Sequence, residues 1–332
     1  MSFPFFKGKG TSLESKINPL HLPPSRYTEE AKSEYYIASE ELANAVNVAL
    51  LVGKPLLITG EPGTGKTQLA YRIAHEFDMA VFKFETKSTS QASDLFYYFN
   101  MVGFFQAAQL QLPSEPKEFI HYNALGKAII MANPHSRVKD ILPSHMAYKK
   151  QQRSVVLIDE IDKAPIDFPN DILSELEELY FRIPELRVNR IGIEKDNKEY
   201  APVVVITSNL EKSLPEPFLR RCIYHHIEFP SDPEVLEQIV LNRLLTNHRN
   251  DPLLADMTGF FLFLRGKKAL IRNPSIGELI TWVNAMFDIP QYRQKRSLEW
   301  DMLQSTIGTL CKHKDDQKAA LIFFNEWPEN IT

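Results

Sequence analysis

Cysteine is scarce in this chain: Cys222 and Cys311 are the only two among 332 residues. So few thiols exclude a disulfide-stapled secreted fold and suit a reducing compartment, so the expected location is cytoplasmic. An excess of one charge is also missing. Lys and Arg number 38 against 42 Asp and Glu, for a net charge of −4, so no global basic field advertises nucleic acid, and only a local patch remains open. No apolar run approaches the roughly 18 residues of a membrane span, and the start, MSFPFFKGKG, has no long apolar signal core. Internal repeats and low-complexity tracts are absent as well. The length nevertheless allows a sizeable core with a second, smaller domain.

What is present centres on Gly60-Glu61-Pro62-Gly63-Thr64-Gly65-Lys66-Thr67. This stretch follows an apolar run, Pro55-Leu56-Leu57-Ile58-Thr59, that reads as a buried parallel strand. After Gln68, Leu69, Ile73 and Phe77 recur every four residues, as one face of a helix should. A G-x-x-x-x-G-K-[ST] match between strand and helix lets backbone N–H groups wrap a phosphate, because glycine has no Cβ to block the approach. The opening helix adds its positive end to the same spot. Lys66 would reach the β and γ phosphates of ATP as a point charge, and the Thr67 hydroxyl would hold Mg²⁺. Residues 60–67 together with Gln68 are the candidate nucleotide-binding set.

The second block is Ser154-Val155-Val156-Leu157-Ile158-Asp159-Glu160-Ile161-Asp162. Four consecutive aliphatics make a strand buried on both faces, and acids appear where that strand emerges at its carboxyl end. Carboxylates beside an apolar strand cost free energy unless a cation joins them. Asp159 is the candidate Mg²⁺ ligand, mostly through the water shell, and Glu160 the candidate general base; solvated acids at an exposed strand end are the plainer alternative. A third apolar strand, Val203–Ser208, ends in Asn209, whose amide can orient a water against the γ phosphate, although Asn also ends strands in ordinary turns. Downstream, Pro217-Phe218-Leu219-Arg220-Arg221-Cys222 precedes an alternating strand from Ile223. Arg221 and Arg220 are either surface charge or a finger that neutralises transition-state charge in a neighbour's site. Cys222, His225 and His226 lie close together, but the histidines alternate faces of a strand and no second ligand pair stands at metal spacing, so zinc is not expected.

The remaining segments supply the frame. Residues 1–34, with Pro4, Pro19, Pro23 and Pro24, read as an extended arm that either wraps a neighbouring subunit or stays loose. Tyr35 to Leu51 reads as a helix with Gly53 as its C-cap, and Ala80–Glu85 as a strand. From Ser88 to Arg153 the periodicity is weak and aromatics cluster (Phe96, Tyr97, Tyr98, Phe99, Phe104, Phe105), which fits either core packing or an insertion that handles a substrate. Leu125–Met131 reads as a helix. Ile172, Leu173, Leu176, Leu179 and Tyr180 form a helical stripe, and the segments 181–185 and 191–195 resemble a hairpin. The rest is helical in tone, with stripes at Val235, Leu236, Ile239, Leu241 and Leu244, at 260–264, and at Ile276, Leu279, Ile280 and Val283 after Asn273-Pro274-Ser275. The expected division is an arm over 1–34, a nucleotide-binding α/β domain over 35–231, and a helical lid with a C-terminal extension over 232–332.

GEPGTGKT at 60–67, VVLIDEID at 155–162, ITSN at 206–209 and PFLRRC at 217–222, in this order and spacing, resemble the AAA+ ATPases and within them the MoxR family. The resemblance covers roughly residues 35–285. It implies a doubly wound P-loop parallel sheet with a smaller C-terminal α-helical lid, binding ATP and Mg²⁺ and working as a ring, usually a hexamer. It also implies that the first two segments are Walker A and Walker B, that Asn209 is sensor 1, and that Arg221, with Arg220 second, is the arginine finger. Under the same resemblance the hairpin near 183–201 and part of 88–125 are insertions that point into the pore or toward a partner. In MoxR relatives a sensor 2 arginine follows a Ser-Pro pair; here Ser275 occupies that place, so either Arg272 substitutes or the lid contacts phosphate weakly.

The leading expectation is therefore an ATP hydrolase whose ring remodels a protein client, with a von Willebrand factor A domain protein as the partner the resemblance implies. A nucleic-acid motor or restriction-type subunit is the alternative, for which Lys149, Lys150 and Arg153, and Arg265, Lys267, Lys268 and Arg272, are the available basic clusters. A nucleotide-dependent assembly switch in a defence or signalling complex is the third, and the intact acids at 159 and 160 argue against it.

Overall fold

Runs of aliphatic residues with no alternation can be buried on both faces only where helices cover both sides of a parallel sheet. In the computed structural model, which describes residues 36–112, 115–244, 251–292 and 294–327, three such runs lie side by side. The arm expected over 1–34 lies outside the described residues. The remainder falls into two compact units, one within Ser33–Phe229 and one within Pro230–Thr332.

The first unit begins with α1 (Glu40–Val52), capped by Ser39, whose hydroxyl accepts the Leu42 N–H at 3.2 Å, and stopped by Gly53 in the left-handed region. Then come β1 (Leu56–Gly60), α2 (Lys66–Glu76) and β2 (Ala80–Glu85). The weakly periodic stretch resolves into β3 (Tyr97–Phe99), α3 (Met101–Gln109), β4 (Ile120–Tyr122), α4 (Ala124–Met131) and α5 (His135–Val138). After β5 (Ser154–Asp159) follow α6 (Phe168–Asp171), α7 (Leu173–Glu178), the hairpin β6 (Tyr180–Ile183) and β7 (Val188–Gly192), then β8 (Val203–Ser208), α8 (Glu216–Leu219) and β9 (Ile223–Ile227).

The main sheet has the order β2-β5-β8-β1-β9, and every neighbouring pair in it is parallel. The chain leaves β1 for one edge, returns strand by strand, and steps over β1 to reach β9. The crevice at such a reversal, outside the carboxyl ends of the strands, is where open α/β sheets hold ligands. Side-chain parity divides the sheet's two faces. Leu56, Ile58, Val155, Leu157, Val203 and Val205 pack with α1 and α2, whereas Leu57, Val156, Ile158, Val204 and Ile206 pack with α4, α6 and α7.

In this unit two expectations need correction, and a third, left open between core packing and an insertion, divides. Phe77 does not continue the buried stripe of α2: the helix ends at Glu76, and Phe77 is its exposed C-cap. The stripe through Tyr180 breaks at Leu179, whose φ of 49° turns the chain out of α7, so Tyr180 opens β6 and the hairpin starts earlier than expected. The aromatics of 96–105 divide: Phe96 is buried and stacks on Phe181, but Tyr98 and Phe105 are exposed, and α3 buries no residue at all.

The second unit holds α9 (Pro233–Leu244), α10 (Pro252–Gly266), α11 (Ile276–Asp288), α12 (Trp300–Leu310) and α13 (Lys314–Phe324). In α9, Leu236 and Val240 are buried while Val235 is exposed, so the buried stripe sits one position away from part of the expected one. Phe260 and Trp282 anchor the core, and the indole N–H donates to the Thr306 hydroxyl at 2.9 Å, which removes the cost of burying it. Among the described residues no helix is long and apolar enough to cross a membrane.

Candidate nucleotide site

The glycine loop joins β1 to α2 at the sheet's reversal point. Gly60 (φ 152°), Gly63 (φ 85°) and Gly65 (φ 91°) all lie where L side chains are strained. Space forbids a side chain at two of them. A Cβ on Gly60 would stand 2.6 Å from the Ile227 carbonyl oxygen, and one on Gly65 would stand 2.9 Å from the Tyr36 ring. Thr64 closes the turn by donating its hydroxyl to the Glu61 carbonyl at 2.9 Å. Lys66, the first residue of α2, is buried, and its ammonium donates to the carbonyls of Gly60 and Glu61 at 2.8 Å each. Burial draws that ammonium below the usual lysine range, against the opposing pull of Asp162, Glu160, Asp159 and Glu61.

The acids meet this loop across the sheet. Asp159 Oδ1 accepts from the Thr67 hydroxyl at 2.8 Å and from the Thr207 hydroxyl at 2.7 Å, and its Oδ2 pairs with Lys83 Nζ at 2.8 Å. Burial pushes the Asp159 carboxyl up, but hydrogen bonds from Lys83, Thr207 and Thr67 outweigh it and hold the group below the usual carboxylate range. Glu160 leaves the strand in the left-handed region, at φ 57°, with its N–H donated to Thr207 Oγ1 at 2.9 Å. Its Oε1 accepts from the Asn209 amide at 3.2 Å, and its Oε2 forms an ion pair with Lys163. Thr67, Asp159, Glu160 and Asn209, singled out from sequence, thus form one connected cluster through Thr207, while the Lys66 ammonium stays on the loop carbonyls beside it.

Two members of that cluster escaped sequence reasoning. Lys83 stands beside Leu157 in the β2–β5 register, and Thr207 beside Ile58 in the β8–β1 register. Both share the α2 side of the sheet with Asp159, so the fold brings them to it. Strand parity places them there once strand order and register are known.

The arginines stand apart from the cluster. Arg221 Nε donates to Glu177 Oε2 at 3.0 Å and its Nη1 to the Pro217 carbonyl at 3.1 Å, while Arg220 pairs with Glu216 one helical turn back. Arg272 belongs to the second unit, where it pairs with Glu278 at 3.4 Å. Ser275 is the N-cap of α11 and exchanges hydrogen bonds with Glu278 in a capping box, which explains a serine at that position. The basic clusters are largely spoken for. Arg153 donates to the Ala201 carbonyl, Arg265 to the Pro274 carbonyl, and Lys267 pairs with Glu326 over the rings of Phe263 and Phe323.

An oxygen-only pair, a hydroxyl and a carboxylate held 2.8 Å apart at the mouth of a glycine cradle, is a donor set suited to Mg²⁺ on a phosphate. No curated protein matches this sequence. Among solved structures, the RuvB Holliday junction branch migration motor of Thermotoga maritima is similar at 15% identity, with 81% of this chain and 67% of that chain covered and a TM-score of 0.43. A point mutant of the same Thermotoga maritima protein is similar at 16% identity, with 90% and 82% covered and a TM-score of 0.47. The protein family described as "ATPase family associated with various cellular activities (AAA)" matches residues 56–231. That match takes in more than half of the chain and all the strands that carry the loop, the acids and Asn209, and so the chain belongs to the AAA family of ATPases.

Proposed function

We propose that this chain is a Mg²⁺-dependent ATP hydrolase of the MoxR type, working as a homo-oligomeric ring, a hexamer by resemblance, on a protein client in the cytoplasm. The observation that carries the hydrolytic reading is the pairing of the Thr67 hydroxyl with the Asp159 carboxylate, with Glu160 on the next residue held by Asn209. In this reading residues 35–231 are the nucleotide-binding domain and 232–332 its lid, with Arg272 as the sensor 2 candidate.

Residues 60–68 bind the triphosphate: loop N–H groups meet phosphate oxygens, and Lys66 exchanges its contacts with the Gly60 and Glu61 carbonyls for the β and γ phosphates. Thr67 and Asp159 would hold Mg²⁺, which neutralises charge on the phosphate oxygens. Glu160 takes the proton of the attacking water, and Asn209 orients that base through Oε1. The Lys163 ion pair occupies Oε2, so productive binding has to free that oxygen for the attacking water. Arg221 spends Nε and Nη1 on its own chain, which leaves Nη2 for an anionic oxygen of the next subunit's nucleotide. Arg220 is the second choice for that role. The outward apolar side chains of α3, among them Val102 and Phe105, support a protein client over nucleic acid, and a von Willebrand factor A domain protein is the client class the MoxR resemblance favours.

The test is phosphate release by the wild type and by Glu160→Gln, with nucleotide affinity measured on both. Loss of a general base predicts a fall of about 10²–10⁴-fold in turnover with binding retained. Unchanged turnover in Glu160→Gln sinks the assignment; full activity of rings made of Arg221→Ala alone, or no recovery of turnover when inactive Arg221→Ala is mixed with Glu160→Gln subunits, sinks the finger.

A further inference from the structure

The last acid of the 155–162 block has no part in the chemistry above, yet it is among the most deeply buried carboxylates of the first unit. Asp162 sits in the single turn after Glu160 and is 2% exposed. Its Oδ2 accepts the backbone N–H of Asn209 at 3.1 Å and of Glu211 at 2.9 Å. Its Oδ1 is buried with no hydrogen-bond partner among the described residues. Burying a carboxylate with one oxygen unmatched costs free energy that packing alone does not return.

What that carboxylate holds is the loop after β8. Leu210 lies in the left-handed region at φ 61°, which turns the N–H groups on either side of it toward one point, and Asp162 Oδ2 is at that point. The Leu210 N–H itself goes to the Ser208 hydroxyl at 3.0 Å. Three successive backbone donors therefore have fixed acceptors, and the Asn209 side chain leaves this clamped loop on a line that meets Glu160 Oε1. We propose that Asp162 is a positioning residue: by fixing the backbone of residues 209–211 it sets the Asn209 amide against the Glu160 carboxylate. The proposal rests on the hydrolase reading for its kinetic consequence and on geometry for its structural one.

A competing role must be separated. Asp162 is also the largest favourable charge felt by Lys66, so its removal could act on nucleotide binding instead. Asp162→Asn keeps an oxygen for the two N–H groups and discards the charge; Asp162→Ala discards both. Amide hydrogen exchange at 209 and 211, together with kcat and KM for ATP, is measured on both variants and the wild type. The expected result is that Asp162→Ala loses protection at both amides and about 10–100-fold in kcat, with KM within about twofold, because a displaced orienting group costs rate rather than binding. Asp162→Asn is expected to keep the protection and remain within about threefold of wild-type kcat. Unchanged protection in Asp162→Ala, or a raised KM shared equally by both variants, overturns the proposal. Should Asp162→Ala fail to fold, Asp162→Asn decides alone: protection and kcat that stay or fall together support the clamp, and a raised KM, or a fall in one of the two without the other, refutes it. If the wild type releases no phosphate, the hydrolase reading fails, while the exchange data still decide what Asp162 holds.

Discussion

Replacing Thr207 with valine removes one oxygen and nothing else of consequence to packing, and that oxygen serves both acids. It donates to Asp159 Oδ1 at 2.7 Å and accepts the Glu160 N–H at 2.9 Å, on a residue with no solvent exposure. A hydrogen bond to a charged group contributes about 1.5–3 kcal/mol, and a backbone N–H left without its partner adds about 1 kcal/mol at the low end of its range. Two effects lower the sum. Asp159 keeps Thr67 and Lys83, and a valine methyl is at home among the aliphatics of β8. The net cost is therefore roughly 2–3 kcal/mol, which for a unit of this size lowers Tm by about 4–12 °C. The rate should suffer separately, since the left-handed turn at Glu160 loses its anchor and the proposed base is free to move; a fall of about 10–100-fold in kcat is expected. Urea unfolding and steady-state phosphate release read the two effects, and Thr207→Ser, which keeps the hydroxyl, should recover most of both. Wild-type stability and rate in Thr207→Val would refute the claim that this hydroxyl ties the two acids together.

Gly65→Ala meets both a left-handed backbone and the Tyr36 ring 2.9 Å away, so about 1–2 kcal/mol of strain joins the displacement of the ring. A fluorescent nucleotide analogue should bind at least tenfold more weakly, and unchanged affinity would mean that the cradle is looser than drawn. Lys83→Met removes a partly exposed ion pair on a carboxyl held below its usual range. A depressed carboxyl stabilises the fold above its unfolded pKa near 3.9 and stops doing so as pH falls through the folded value. The variant should thus be less stable by about 1 kcal/mol at pH 7, after allowance for solvent screening, and the gap should close below about pH 4. Parallel denaturation curves with a gap independent of pH would show that Lys83 acts through packing instead.

Legibility in the sequence followed a physical line. The segments around 55–67, 154–162 and 203–209 could be placed because each is an aliphatic run broken by residues an apolar strand does not tolerate, glycine in one case and acids or an amide in the others. Apolar spacing overstates the extent of α7, because Leu179 and Tyr180 keep the helical spacing while the backbone has already turned at φ 49°. The expected extent of the buried stripe of α9 failed for a related reason, since apolar residues occupy more positions there than the face that is buried.

The harder residues to foresee were Lys83 and Thr207, and the reason lies in the same strands that made the fold readable. A strand with one wet face writes its parity as alternation, but β1, β5 and β8 are buried throughout, so no pattern in them tells which side chains face α2. Parity becomes known only when strand order and register are known: Lys83 beside Leu157, Leu157 beside Val205, Val205 beside Leu56. From that row a count of two residues reaches Asp159 on β5 and Thr207 on β8, on the side where α2 presents Thr67. Chemistry at strand ends is thus visible one chain segment at a time, whereas the groups that hold it in place are visible only across the sheet.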